Sequence, residues 1–211
     1  VEQASAIGSY LSSINLNARD TFEFPLKTLP RPKGKATQVI YTMYDLPRID
    51  ASPHDEVFDA QGNVWYSDFN SQYIGKLDPK TGKVVEYEIP QFRLGQVPQG
   101  GLQIDIDKEG RLYFGNMFQM ALVRFDPKTE RFQEYDIPTP NSQPYAIWVD
   151  RQGVWFTELN GNKIGRVDPG SGRIEEYPIP SPRAACRTII SDGAGTIWCP
   201  ESGQSKLLRF L

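Results

Sequence analysis

Histidine is almost missing from this chain: His54 is the only one in 211 residues. A single imidazole excludes a zinc centre built on several histidines and any mechanism that needs two histidines from these residues. Cysteine is nearly as rare, with only Cys186 and Cys199. Two are too few for a scaffold built on disulfides. Neither sign of charge dominates: 23 Lys and Arg face 26 Asp and Glu, a net charge of −3. No basic field therefore points to a nucleic-acid partner. No apolar run is long enough to span a bilayer as a helix. An initiator Met and a signal peptide are also missing, so the chain reads as a processed or trimmed product. What is abundant is Gly 18, Pro 17 and 12% aromatic residues, and these fall at regular places.

The regularity is an internal repeat. Asn63-Val64-Trp65-Tyr66-Ser67-Asp68 recurs as Arg111–Asn116, Val154–Glu158 and Thr196–Glu201. Each copy is an aromatic run that ends in a carboxylate or an amide. Gly62, Gly110, Gly153 and Gly195 precede the copies and stand 48, 43 and 42 residues apart. A second signature is Met43–Pro47, Glu86–Pro90, Glu134–Pro138 and Glu176–Pro180, where alternation and a terminal Pro suggest an edge strand. A third is Asp-Pro at Asp78, Asp126 and Asp168, a turn between strands. Four short strands in about 40–45 residues is the period of a propeller blade. The expected fold is all-β: a β-propeller with four four-stranded repeats over residues 38–211. The first edge strand precedes the first blade, so it either closes a four-bladed ring or the chain is part of a larger ring; the latter is favoured. An open arc would expose sheet faces and edges to partners.

Upstream, residues 1–15 carry Ala6, Ile7, Tyr10, Leu11 and Ile14 at helical spacing, predicting a helix. Residues 16–37 hold Pro25, Pro30 and Pro32 and read as an extended linker. Residues 1–37 are thus expected to be an appendage, or the end of a preceding domain.

In a propeller, the inner strand of each blade starts on the face where the aromatic strand ends. One mouth would then gather His54, Leu102, Tyr145 and Arg187 from strand starts, and Asp68, Asn116, Glu158 and Glu201 from strand ends. The second set suits a hard cation such as Mg²⁺ or Ca²⁺, which prefers oxygen ligands. His54, expected opposite Asp68, could act as a general base. Tyr145 and Arg187 are candidate contacts for a small-molecule ligand, Arg187 offering a fork to a carboxylate. Trp65, Tyr113, Trp155 and Trp198, with Phe58, Trp148 and Ile190, are expected in the core between blades. The connector Gln91–Gly101 is about five residues longer than its counterparts and should project over the mouth. If Arg187 faces Glu201 across a hairpin, Cys186 and Cys199 fall on opposite faces, beyond disulfide reach. The expectation is two free thiols.

The phrases VWYSDFNSQYIGKLDPKTGKVVEYEIP and VWFTELNGNKIGRVDPGSGRIEEYPIP closely resemble the repeats of the streptogramin (virginiamycin B) lyase-like propellers. The resemblance covers roughly residues 38–211. It implies a seven-bladed ring, of which this chain carries a part, and a Mg²⁺-dependent β-elimination that opens a ring ester using histidine and glutamate. Carried over, His54 and Glu158 match catalytic positions. Tyr145 stands where a further His would be expected, and Asn160 where another catalytic imidazole would sit, so the pattern is incomplete here. The resemblance also implies a periplasmic or secreted location. The functional expectation is a cation-assisted lyase or hydrolase of a small ester or lactone; the alternative is a non-catalytic binding module of a larger protein.

Overall fold

The computed structural model describes residues 33–37, 41–97, 100–192 and 194–210. The chain divides into two units, Val1–Met43 and Tyr44–Leu211. In the first, Gly34–Thr37 forms one 3-10 turn, and Tyr41 and Met43 are exposed. The helix expected over residues 1–15 and most of the linker lie outside the described residues.

The second unit is a succession of antiparallel sheets. Blade 1 comprises β1 (Pro53–Phe58), β2 (Val64–Asp68), β3 (Tyr73–Asp78) and β4 (Lys83–Glu88). Blade 2 comprises β5 (Gly101–Ile106), β6 (Leu112–Asn116), β7 (Ala121–Asp126) and β8 (Arg131–Asp136). Blade 3 comprises β9 (Pro144–Asp150), β10 (Gly153–Glu158), β11 (Lys163–Val167) and β12 (Ile174–Pro178). Blade 4 has three strands, β13 (Ile190–Ser191), β14 (Ile197–Glu201) and β15 (Lys206–Phe210). Strands follow sequence order in every sheet, as hairpin connections dictate. Gly62 and Gly195 adopt φ of +82° and +86°, a region that favours glycine. The adjacent Asp59 and Asp192 accept backbone N–H groups, which closes the turns before the aromatic strands.

Three apolar clusters lie between successive blades. Trp65 and Ile74 pack on Leu112, Phe114, Val123 and Phe125. Tyr113 and Leu122 pack on Val154, Phe156 and Val167. Trp155 and Ile164 pack on Ile197 and Cys199. Tyr87 inserts between Trp65 and Phe125, with ring centroids at 5.8 and 4.8 Å, and Tyr177 repeats this between Trp155 and Phe210 at 6.2 and 4.8 Å. Gly75 and Gly165 leave room for the rings of Tyr66 and Phe156; a Cβ at either would meet the ring within 2.0–2.1 Å.

Three expectations need correction. First, the edge strand expected at Met43–Pro47 is not formed; among the described residues β15 pairs only with β14, so the ring stays open, as the favoured reading expects. Tyr44 instead lies on blade 1, where its hydroxyl donates to Pro79 O at 3.0 Å; Tyr135 makes the same bond to Pro169 O at 3.5 Å in the next interface but one. Second, Phe58 and Ile190 are not core residues, being 65% and 49% exposed. Phe58 pairs with Val64, a residue of the blade 1 face that no described blade covers. Ile190 shares the uncovered face of blade 4 with Trp198 and Leu207. Trp148 does pack against the blade 3–4 cluster, half-buried. Third, Cys186 and Cys199 are disulfide-bonded, with Cα atoms 5.9 Å apart.

Candidate functional site

The reason for the disulfide also governs the site. Each inner strand carries one extra residue near its start. Pro53 lies opposite Asp68, but Glu56 lies opposite Tyr66. The same one-residue shift separates Gly101–Asn116 from Ile104–Phe114, and Pro144–Glu158 from Ile147–Phe156. In blade 4 the bridge is Cys186–Glu201, followed by Ile190–Trp198. A bulge of this kind bends the strand and re-aims the side chains in it. Cys186, not Arg187, therefore faces Glu201 and lies diagonal to Cys199 on the same face. By the same shift, Pro53, not His54, faces Asp68. The residues just inside the bulge are His54, Leu102, Tyr145 and Arg187, one from each blade.

The four strand-end residues are buried: Asp68 at 0%, Asn116 and Glu158 at 1% and Glu201 at 3% exposure. Their surroundings differ. Asp68 is ion-paired to Arg48 and accepts from Ser71 Oγ at 2.7 Å and from the N–H groups of Ser52 and Asn70 at 3.1 and 3.0 Å. Burial opposes its ionisation, but the bonds from Ser71, Arg48 and the two N–H groups outweigh it and hold the carboxyl below the usual range. Arg48 also pairs with Glu86 at 2.8 Å, so one guanidinium ties the segment before β1 to two strands.

Glu158 is the opposite case. Among the described residues neither of its oxygens has a hydrogen-bond partner, and Asn116 Oδ1 and Glu201 Oε2 share that state. The Glu158 carboxylate sits beneath the β10–β11 turn, where a Cβ on Gly161 would come within 2.4 Å of Oε2. Burial, followed by repulsion from Glu176, pushes Glu158 up to about 7; Lys163 offsets part of this. Lys163 is itself engaged by Glu176 at 2.7 Å and by Thr139 Oγ1 at 2.5 Å. Among the described residues, no group of three or more His, Cys, Asp or Glu side chains is arranged to hold a metal ion. Asp68 is thus neutralised by Arg48, whereas Asn116, Glu158 and Glu201 each keep a buried oxygen without a partner among the described residues.

The inner-strand residues do come together. His54 Nδ1 lies 2.7 Å from Asp55 Oδ2, and the His54 ring meets Tyr145 edge-on at 6.2 Å. The Arg187 guanidinium stands over Tyr145 at 6.0 Å. Leu102 is buried at 1% and drops out of the set. Composition and repeat logic do not single out Phe69, which lies 5.8 Å from His54; its only sequence signal is that it departs from the repeat. The long connector is fastened beside this row. Arg93 binds the carbonyls of Gln119 and Met120 and pairs with Asp136. The buried Gln119 accepts from Arg93 N at 2.8 Å and donates to Val97 O at 3.2 Å.

Two polar clefts lie at the other ends of the inner strands. One, of about 580 Å³, is lined by Asp107, Arg111, Asp150, Arg151 and Asp168, and the other, of about 420 Å³, by Asp150, Gln152 and Asp192. They lie among the turn residues that close the hairpins, and Arg111 is already paired with Asp107 and Glu109. They gather neither the histidine nor an unpaired buried carboxyl.

No protein of curated function matches the chain. Among solved structures, a streptogramin B lyase is 28% identical with a TM-score of 0.68, covering 79% of this chain and 53% of that one. A catalytically inactive histidine-to-alanine variant of virginiamycin B lyase from Staphylococcus aureus, solved with quinupristin, is 26% identical with a TM-score of 0.66, covering 78% and 57%. Kuenenia stuttgartiensis hydrazine synthase, at 16% identity and a TM-score of 0.59 over 77% and 44%, shares the fold alone. The chain therefore spans a little over half the length of the lyases it matches. The virginiamycin B lyase family model matches residues 33–210. With blades, register and repeat signatures all of one kind, this chain belongs to the virginiamycin B lyase family.

Proposed function

We propose that the chain supplies part of the mouth of a lyase, or a related hydrolase, acting on a small ester or lactone. The observation that carries this reading is the convergence of His54, Tyr145 and Arg187 at the inner-strand starts, in a family whose solved members include a lyase inactivated by loss of a histidine. His54 is the base. In an elimination it takes the proton from the carbon next to a carbonyl; that electron pair forms a C=C bond as the adjacent C–O bond breaks, and the ester leaves as a carboxylate. Asp55 orients the imidazole. Tyr145 packs on the substrate, and Arg187 receives the developing carboxylate.

The oxygen donors at the strand ends suggest Mg²⁺ or Ca²⁺ held by Asp68, Asn116, Glu158 and Glu201, and the resemblance implies Mg²⁺. These residues do not fit one ion as a set, because Asp68 is already neutralised by Arg48 and no ligand group is gathered. No step is routed through a cation. Glu158 keeps a place in the proposal as the carboxyl that holds its proton close to neutral pH. The disulfide supports a periplasmic or secreted location, since such bonds persist in oxidising compartments. The chain's coverage of the solved lyases is consistent with further blades completing the mouth.

The second reading, a non-catalytic binding module, is favoured by one observation: the single histidine. Liquid chromatography with mass spectrometry of a cyclic ester after incubation with the chain and with His54→Gln separates the cases. Elimination gives an open-chain isomer of unchanged mass that elutes apart from the substrate, whereas hydrolysis adds one water. The lyase reading expects the separately eluting isomer and a loss of at least about 100-fold in its rate of formation in His54→Gln. Equal rates in both proteins would defeat it, and binding without turnover would favour the second reading.

A further inference from the structure

Blade 4 has three strands where the other blades have four, and the signature of the strand it lacks stands elsewhere in the chain. The outer strands of blades 1 to 3 run into Tyr87–Pro90, Tyr135–Pro138 and Tyr177–Pro180, each a Tyr followed by X-Ile-Pro. The fourth copy is Tyr44-Asp45-Leu46-Pro47, ahead of blade 1. Among the described residues, Tyr44–Leu46 pairs with no strand, and the outer edge of β15 pairs with none either.

Tyr44 nonetheless occupies the seat of an outer-strand tyrosine from a preceding blade. Tyr135 of blade 2 donates to Pro169 O in the β11–β12 turn of blade 3, and its ring lies 3.9 Å from where a Cβ on Gly172 would stand. Tyr44 donates to Pro79 O in the β3–β4 turn of blade 1, and its ring lies 3.7 Å from the same point on Gly82. The segment is fastened again four residues on. Arg48 pairs with Asp68 and Glu86 and stands 4.3 Å over the Tyr73 ring. Blade 1 thus holds an extended segment in the place of a strand, with no strand beside it among the described residues.

Blade 4 shows the complementary lack. Ile74, Leu122 and Ile164 share one repeat position, and each is at most 1% exposed. Leu207 holds that position in blade 4 and is 76% exposed. In blades 1 to 3 this residue lies opposite the outer-strand tyrosine, as Ile74–Tyr87, Leu122–Tyr135 and Ile164–Tyr177. The same register places Leu207 opposite a Tyr44 and Lys206 opposite an Asp45, a pair of opposite charges. It also sets Tyr44 between Trp198 and Leu77, as Tyr87 lies between Trp65 and Phe125. The open face of blade 4 and the open face of blade 1 are therefore the two halves of an interface that the chain already builds three times.

We infer that two copies of this chain close head to tail into one ring, blade 4 of each packing on blade 1 of the other and Tyr44–Leu46 supplying the missing outer strand in trans. One two-fold axis along the channel makes both seams alike and leaves neither end open. The chain covers 53% and 57% of two solved lyases, an arc that one further copy can complete. Two arcs of four blades make eight, within the usual range for propellers. Pairing Tyr44–Leu46 with β15 also removes an exposed sheet edge, which a stable fold must cover. The inference rests on the reading that further blades complete the mouth, and it names a second copy as their source.

The test is mass and cross-linking of the whole chain. Sedimentation across the micromolar range should show the mass doubling as concentration rises. Leu207→Asp should abolish the doubling and leave the thermal midpoint of the dilute chain unchanged, because that side chain is exposed in one copy. Asp45→Lys should weaken the dimer about tenfold over its two seams, and Asp45→Lys with Lys206→Asp should restore it. Asp45→Cys chains mixed with Lys206→Cys chains should form a covalent heterodimer under mild oxidation, since residues opposite each other on paired strands are within disulfide reach. A chain that stays monomeric throughout would overturn the inference. So would Asp45→Cys/Lys206→Cys closing within one chain, or Lys206→Cys linking to itself. A dimer with these properties but no ester turnover would stand, and count against the lyase alone. Turnover by a chain that sediments only as a monomer would do the reverse.

Discussion

At the scale of single residues, the four strand ends show how one repeat position takes on different chemistry. Against its burial, Asp68 is held below the usual carboxylate range by bonds from Ser71, Arg48 and two backbone N–H groups, while Glu158, at the same position two blades on, has no such set of donors among the described residues. Glu158 therefore carries a pH dependence. Its carboxyl is raised in the folded state to about 7, so the folded state holds the proton that the unfolded chain releases near 4.5. The stability linked to that proton is fully present below the ordinary carboxylate range and is lost as pH rises through about 7. Urea unfolding between pH 4 and 8 should show this fall. In Glu158→Gln the fall should flatten, and the variant should be more stable than the parent at pH 8, by an amount on the order of 1–3 kcal/mol. A variant with the parent's pH profile would place the titration elsewhere.

At the scale of elements, the inner strand of blade 4 is the least regular. Only Ile190–Ser191 pairs as a strand, and the run before it is fastened by the Cys186–Glu201 bridge and the Cys186–Cys199 disulfide. The bond spans 13 residues. Closing a loop of that size limits the unfolded chain and is worth about 2–3 kcal/mol. Reduction, or the Cys186→Ser and Cys199→Ser pair, should lower the urea midpoint by the corresponding amount while the far-ultraviolet spectrum is retained. A midpoint unmoved by reductant would contradict a formed bond.

The same element shows what could be read in advance. The aromatic strands, the Asp-Pro turns and the glycines before them were legible because each has a local physical signature. The bulge was not. In blade 4 it adds one residue with no Gly or Pro beside it, and the Pro or Gly before it in the other blades (Pro53, Gly101, Pro144) reads equally as a strand start; yet it turns two cysteines that a straight hairpin would separate into partners, and it moves His54 away from Asp68. The mouth residues His54, Tyr145 and Arg187 were legible because strand starts share a face. Their spacing was not, since Phe69 and the long connector lie outside the repeat.

At the scale of the whole second unit, three blade interfaces are complete and the outermost faces are not. Trp155 and Trp198 hold one repeat position, but Trp155 is 3% exposed and Trp198 lies on the face that also leaves Ile190 and Leu207 exposed at 49% and 76%. In the dilute, monomeric chain Trp155→Ala should cost about 3–5 kcal/mol in equilibrium unfolding, whereas Trp198→Ala should cost less than about 1 kcal/mol. Similar losses at both positions would mean that the blade 4 face is covered within a single chain.

The functional reading turns on which end of the inner strands receives a ligand. Because His54 is the only histidine, its imidazole nitrogens give one unambiguous pair of ¹⁵N signals. Titrating the labelled chain with the cyclic ester of the turnover assay, and following that pair by long-range ¹H–¹⁵N correlation, reads the mouth directly. The account predicts a saturable shift of the His54 signals together with the Tyr145 ring. Binding that leaves His54 unmoved and instead shifts Tyr113 and the turn residues around Asp107 and Asp150 would place the site at the opposite end and contradict it.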